Sequence, residues 1–190
     1  MSETSPIKGI TLTVLLSVLA ACATQVVEQP NEITRATMPL GGFNKVVLVK
    51  AKIAEDYAGH PANIKAVDKI DEVLALELKK VLNNIIVVSE QEYAGNNYAN
   101  VASGEVLVIK PLVKQVKFIG GAARFWAGAA AGSSVVVMDT AFIDAGTGTV
   151  LSNPGYYRKG AAYGDAFGVA SNRMLSDVAT DVVNYVRTNK

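Results

Sequence analysis

From Asn44 onward the apolar positions come in short runs whose spacing switches between a strand period and a helix period. Asn44 to Ile53, "NKVVLVKAKI", is rich in β-branched residues and begins to alternate, which predicts a strand. In "HPANIKAVDKIDEVLALELKKVLNN" the residues Ile64, Val67, Ile70, Leu74, Leu78 and Val81 recur at spacings of three and four. Pro61 suits a first helical turn, and Lys65, Asp68, Lys69, Glu72, Lys79 and Lys80 fill the other face. This is a one-sided amphipathic helix, expected to lie on a sheet. Ile85 to Glu90 reads as a short buried strand, and "YAGNNYANVASG" as a loop, from its Asn and Gly content.

"EVLVIKPLVKQVKFI" starts fully apolar and then alternates. Val106 and Val108 begin a face expected to continue through Leu112, Val116 and Phe118, with Pro111 marking an edge or a bulge. "SVVVMDTAFIDAGTGTVLSN" predicts a hairpin, with Val135, Val137, Ala141 and Ile143 on one face and Met138 and Phe142 on the other. Asp144 opens its turn, where Thr147 and Gly148 complete Asp-x-x-Thr-Gly and a glycine can take positive φ. Last, Phe167, Ala170, Met174, Val178, Val182 and Tyr185 form a second apolar stripe at helical spacing. The element order predicts an α/β (α+β) two-layer sandwich: a mostly antiparallel sheet of four or five strands with two amphipathic helices on one face.

The first 43 residues follow another logic. Lys8 and the amino terminus precede an apolar run, Gly9 to Leu19, which is shorter than the roughly 20 residues a bilayer span needs. Directly after it stands Leu19-Ala20-Ala21-Cys22, and Cys22 is the only cysteine of the 190 residues. These four positions look like the lipobox of bacterial lipoproteins. In that resemblance residues 1–21 are the signal peptide, and Cys22 becomes the lipidated, acylated (palmitate-bearing) first residue of the mature chain. A lone thiol in an oxidising compartment is thereby consumed. Ala23 follows Cys22 where an aspartate would favour inner-membrane retention, so the expected place is the outer membrane, with the domain facing the periplasm. Residues 22–43, polar and without a period, read as a flexible tether to a single domain over 44–190.

Charge and composition narrow the chemistry. The formal net charge is +1, which argues against nucleic acid as a partner. His60 is the only histidine and stands beside Pro61 at a helix start, a place for a cap. No metal-ligand spacing and no phosphate loop is present, and the reading assigns no catalytic residue, metal or cofactor. The odd stretch is "GGAARFWAGAAAGSS", Gly120 to Ser134, where Arg124 is the only charge and Trp126 the only tryptophan. Gly128 and Gly132 form a small-xxx-small spacing. Three readings stand side by side: a close-packed crossover with Trp126 as a core plug, a loop whose Phe125 and Trp126 enter the lipid interface, or a docking surface anchored by Arg124 and the aromatics.

"AARFWAGAAAGSSVVVMDTAFIDAGTGTVL" resembles the bacterial lipoprotein family known as domain of unknown function 4410. Arg124, Phe125, Gly128, Gly132, Asp144, Thr147 and Gly148 fall on its motif of an Arg-aromatic pair, a glycine-alanine run and an Asp-x-x-Thr-Gly turn. The resemblance supports fold and compartment and supplies no reaction. The expectation is a non-enzymatic, lipid-anchored envelope protein that binds a protein partner or assists an outer-membrane or secretion assembly. A hydrolase of envelope polymers and a structural membrane-coating lipoprotein are the alternatives.

Overall fold

The computed structural model describes residues 28–96, 98–119, 132–160 and 169–190. In chain order the elements are β1 (Lys45–Val49), β2 (Lys52–Ile53), α1 (Glu55–Ala58), α2 (Pro61–Leu78), β3 (Ile85–Val88), α3 (Glu90–Gly95), β4 (Val106–Lys117), β5 (Val135–Asp144), β6 (Thr149–Ser152), β7 (Gly155–Lys159) and α4 (Val169–Thr188). The strands make one open sheet in the order β3-β1-β4-β5-β6. β2 pairs with β4 beyond β1, and β7 pairs with β5 beyond β6. β1, β2 and β3 join through parallel ladders, whereas the longer β4–β5 ladder and both ladders outside it are antiparallel. The result is a mixed α+β fold around a mostly antiparallel sheet. Among the described residues no helix is long and apolar enough to cross a membrane.

Both long helices cover one face. Val67, Ile70, Leu74 and Leu78 of α2 and Met174, Val178, Val182 and Tyr185 of α4 pack on Val46, Leu48, Leu107, Ile109, Met138 and Phe142. Each buried Leu or Val side chain there contributes about 1.5–3 kcal/mol of transfer free energy. The opposite face carries a smaller cluster: Val47, Val49, Val106, Val108 and Ala145, covered by Tyr93, Tyr98 and Val101. β1 is therefore buried on both sides, which is why it reads as a nearly continuous apolar run.

Several elements depart from the sequence reading. β7 is an additional strand. β3 lies at the sheet edge with Ile86 and Val87 more than a third exposed, rather than buried. The expected loop after it holds α3, opened by a capping box in which Glu92 N–H donates to Ser89 Oγ and Ser89 N–H to Glu92 Oε2. Ile64 is exposed, because the first turn of α2 instead buries Asn63. Asn63 accepts from Phe118 N–H and donates to the Tyr57 carbonyl. In β4 the register against β5 shifts between Val113 and Gln115. This bulge at Lys114 moves Val116 and Phe118 to the helix side, away from the face begun by Val106 and Val108.

Pro111 stands inside β4, a central strand, at a place where a donor is not needed. The neighbouring strand is interrupted there, between Val49 and Lys52. The freed Ala51 N–H donates to Asp71 Oδ1 of α2 at 2.9 Å. Across β5 a second interruption separates β6 from β7, and Thr140 N–H donates to the Pro154 carbonyl in it.

The N-terminal segment uses this second gap. Over its described part, residues 28–43, the expected tether is bound to the domain. Glu28 N–H donates to Gln115 Oε1 and the bulged Lys114 donates to the Gln29 carbonyl at 2.6 Å. Asn31 N–H donates to Asp139 Oδ1 at 3.0 Å, and Gly155 N–H donates to the Asn31 carbonyl. The segment then rounds the sheet edge to the helix side. There Tyr185 donates to the Thr34 carbonyl, Ala36 N–H to Asn189 Oδ1 and Leu40 N–H to the Asn189 carbonyl. It is a strap. Backbone donors and acceptors along it bond to the domain at each of these points.

Candidate functional site

Where the strap turns onto the helix side it walls one end of a groove between β7 and α4. The first part is a cleft of about 790 Å³ lined by Ile33, Thr34 and Arg35 of the strap, by Gly155 to Arg158 of β7, and by Asp181, Asn184, Tyr185, Thr188 and Asn189. A second hollow of about 360 Å³ shares Tyr157 and Arg158 with it and runs on past Lys159, Ala170, Arg173 and Asp177. A volume of this size, with tyrosines and a few charges, suits a bound group.

The side chains divide into fixed and free. Arg158 is held by Asp181 through Nε and Nη2, at 2.7 and 2.5 Å, a bidentate geometry that the planar guanidinium favours. The Asp181 hydrogen bonds hold Arg158 above its ordinary range, so it stays charged. Tyr185 spends its hydroxyl on the strap. Tyr156 is buried, and its hydroxyl has no hydrogen-bond partner. Burial is the main reason its phenol is pushed up, with Tyr185 and Asp181 adding to the effect, so it remains neutral. Tyr157, Arg158, Lys159, Arg35 and Arg173 are exposed.

The outer backbone of β7 lines the same groove. Thr140 N–H reaches Pro154 O and Gly160 N–H reaches Ser134 O, both toward β5. Antiparallel alternation then points Tyr156 and Arg158 inward and Gly155, Tyr157 and Lys159 outward. Gly155 meets the strap, and Tyr157 and Lys159 face outward beyond it.

The sequence-assigned positions fall elsewhere. Cys22, Arg124, Phe125, Trp126 and Gly128 lie outside the described residues. Gly132 has φ +77°. Asp144 accepts from Ser103 Oγ at 2.6 Å, Gly104 N–H at 3.2 Å and Gly146 N–H at 3.0 Å. The Ser103 hydroxyl is the largest cause of its lowered pKa. Gly148 takes φ +70°, and Thr147 Oγ1 accepts from Thr149 N–H. This node locks the β5–β6 turn to the 101–104 loop, away from the groove. His60 caps α2, its Nδ1 accepting from Ala62 N–H. Among the described residues no three His, Cys, Asp or Glu side chains gather as a metal site.

Sequence reasoning missed the groove because it missed β7. "GYYRK" is too short and too charged at its end to stand out, and Arg35 falls in the expected tether. The signal available was the Tyr156-Tyr157 pair two residues after a proline turn.

Neither models of known protein families nor curated protein sequences match the chain, including the lipoprotein family its motif resembles. Several solved structures are similar to the chain over most of their length. A PelC dodecamer from Paraburkholderia phytofirmans is similar with a TM-score of 0.51 at 15% identity, over 84% of this chain and 98% of that one. A DUF330-family protein from Xanthomonas campestris gives 0.46 at 10% identity, over 84% and 94%. Lipoprotein GNA1162 from Neisseria meningitidis gives 0.44 at 10% identity, over 76% and 99%. At 15% identity the likeness to the PelC structure is one of fold alone.

Proposed function

We propose that this protein is a non-enzymatic, lipid-anchored envelope protein whose domain holds a protein partner in the β7–α4 groove. In this reading Cys22 carries the lipid, residues 1–21 are the export signal, and the domain faces the periplasm from the outer membrane. One observation carries it: a groove of about 790 Å³ beside exposed Tyr157 and the outward backbone of an edge strand. Tyrosine beside arginine is the composition that interface centres favour. The groove's acids support binding over catalysis, since Asp181 is tied to Arg158. A retaining or inverting hydrolase needs two carboxyl groups free to exchange protons.

The test places a photo-crosslinking amino acid at Tyr157 in the lipidated protein within its own membranes. A discrete protein adduct is expected there, and none from the same group at exposed Leu76 on α2. Equal labelling from both sites, or none at Tyr157, removes the groove from the function.

A further inference from the structure

We propose that the groove takes an extended acidic segment of the partner, added as a new strand on the outer edge of β7; this deepens the partner-binding reading and rests on it. Three observations converge. First, the outward N–H and C=O of Tyr157 and Lys159 have the orientation that a further strand pairs with, and no strand lies beyond β7 among the described residues. Second, the edge already accepts a main chain, since Gly155 N–H donates to the Asn31 carbonyl before the strap turns away. An incoming segment takes up the ladder where the strap leaves it.

Third, the charge is one-sided. Among the described lining residues Arg35, Arg158, Lys159 and Arg173 face only Asp177 and Asp181. Arg158 is already balanced by Asp181, which leaves Arg35 and Arg173 against Asp177 on the helix side, while Lys159 shares the other face with Tyr157. A strand with carboxylates at alternate positions would place them on the helix side, toward Arg35 and Arg173, while its backbone bonds supply affinity without regard to sequence. Apolar residues at the intervening positions meet the ring of Tyr157, which is 42% exposed.

The probe is a fluorescein-labelled eight-residue peptide alternating glutamate with valine, tested on the full lipidated chain in detergent micelles. Its controls carry lysine for glutamate, or N-methyl groups on alternate amides. The acidic peptide should bind saturably, about tenfold or more tighter than the lysine form, and weaken as salt rises. The N-methylated form should fail, and the Tyr157 and Lys159 amides should gain exchange protection while Tyr156 and Arg158 stay as they were. Tyr157→Pro should abolish binding. Arg35→Glu combined with Arg173→Glu should weaken it about tenfold with melting unchanged, which keeps the test valid where the proline variant fails to fold.

Equal affinity for both charges, or no protection at Tyr157 and Lys159, overturns the proposal. Concentration-dependent self-association that Tyr157→Pro abolishes would assign the edge to a second copy of this chain instead. Adducts at Tyr157 in membranes without peptide binding would sink strand addition alone. Peptide binding without adducts would sink the envelope-partner reading alone.

Discussion

Asn31 passes directly over Gly155. A Cβ added at Gly155 would overlap the Asn31 backbone nitrogen and lie 2.6 Å from Asp139 Oδ1 and 2.7 Å from the Asn31 carbonyl oxygen. The glycine is required by close approach, since its φ is not in the left-handed region. The same Asp139 accepts from Asn31 N–H and pairs with Lys114 at 3.1 Å. The strap is thus held at one buried polar node, placed in the gap between β6 and β7.

Gly155→Ala should therefore lift the strap without touching the helix-side core. The expected cost is about 1–3 kcal/mol, as for other insertions into tightly packed sites. Urea unfolding measures the cost, and amide exchange at Asn31 and Ala36 should quicken together. Unchanged exchange would mean that the strap does not depend on this crossing.

Leu78 is fully buried at the helix–sheet interface, where Leu78→Ala should destabilise by about 2–5 kcal/mol. A loss below half a kcal/mol would contradict the helical face assigned to α2.

How much of this was legible follows the same physics. Helix spacing gave the α2 and α4 faces, because period and burial coincide at Val67, Ile70, Leu74, Val178 and Val182. It failed at Ile64, where the first turn instead directs Asn63 inward to its hydrogen bonds with Tyr57 and Phe118. Strand alternation failed at Lys114, since a bulge is set by the strap it grips and not by its own run of residues. The strap itself has no period to detect. Its structure comes from backbone bonds to residues such as Asn189 and Gly155, far along the chain. The groove inherits both blind spots, being made of the strap and of β7.

Asp71 gives the fold an unusual pH dependence. Burial raises its carboxyl to about 6 from 3.8, against the lowering effects of the Ala51 N–H and Lys50. A pKa raised in the folded state means that the native protein binds the extra proton, so Asp71's contribution to stability is fully present below about pH 4 and is lost as pH rises through about 6. At about 1.4 kcal/mol per unit the ionised form costs roughly 3 kcal/mol at neutral pH before solvent screening. Asp71→Asn keeps an acceptor for Ala51 and should flatten the profile, stabilising at pH 7 and changing little at pH 4. Urea midpoints at the two pH values check this, and parallel profiles for both proteins would refute it.

Asp144 works with the opposite sign. Its lowered pKa means stability that is present above the ordinary carboxylate range and lost as pH falls through the folded value. Asp144→Ala removes the acceptor of the Ser103 hydroxyl and of the Gly104 and Gly146 amides, three part-buried hydrogen bonds at about 1 kcal/mol each. The variant should lose stability at neutral pH and show a weaker acid transition than the parent. Proteolysis should open first at residues 101–104, the loop that Asp144 holds.

The strap also changes what an anchor at Cys22 would do. With residues 22–43 free, the domain could stand about 70 Å from the bilayer at ~3.3 Å per residue. With Glu28 fixed on Gln115, only the chain from Cys22 to Glu28 is left to span the distance, about 20 Å at most. Gln115 pairs with Val137 near the start of β5, whereas Thr147 lies past its far end, in the turn after Asp144. Lipid attachment at Cys22 would therefore orient the domain as well as retain it, with the Gln115 end toward the membrane. Because Cys22 is the only native cysteine and its thiol would be occupied by lipid, single introduced cysteines can carry a fluorophore without cross-labelling. Asp56→Cys reports from beside Tyr57, whose pKa feels both Asp56 and Glu28, and Thr147→Cys reports from the opposite end. On vesicles containing a quencher lipid, quenching should be strong at position 56 and weak at 147. Cys22→Ser should abolish both signals and leave the precursor unprocessed. Equal quenching at the two positions, with lipidation confirmed by mass, would show that the strap releases on the membrane. Membrane retention of the Cys22→Ser protein in high salt would remove the anchor itself.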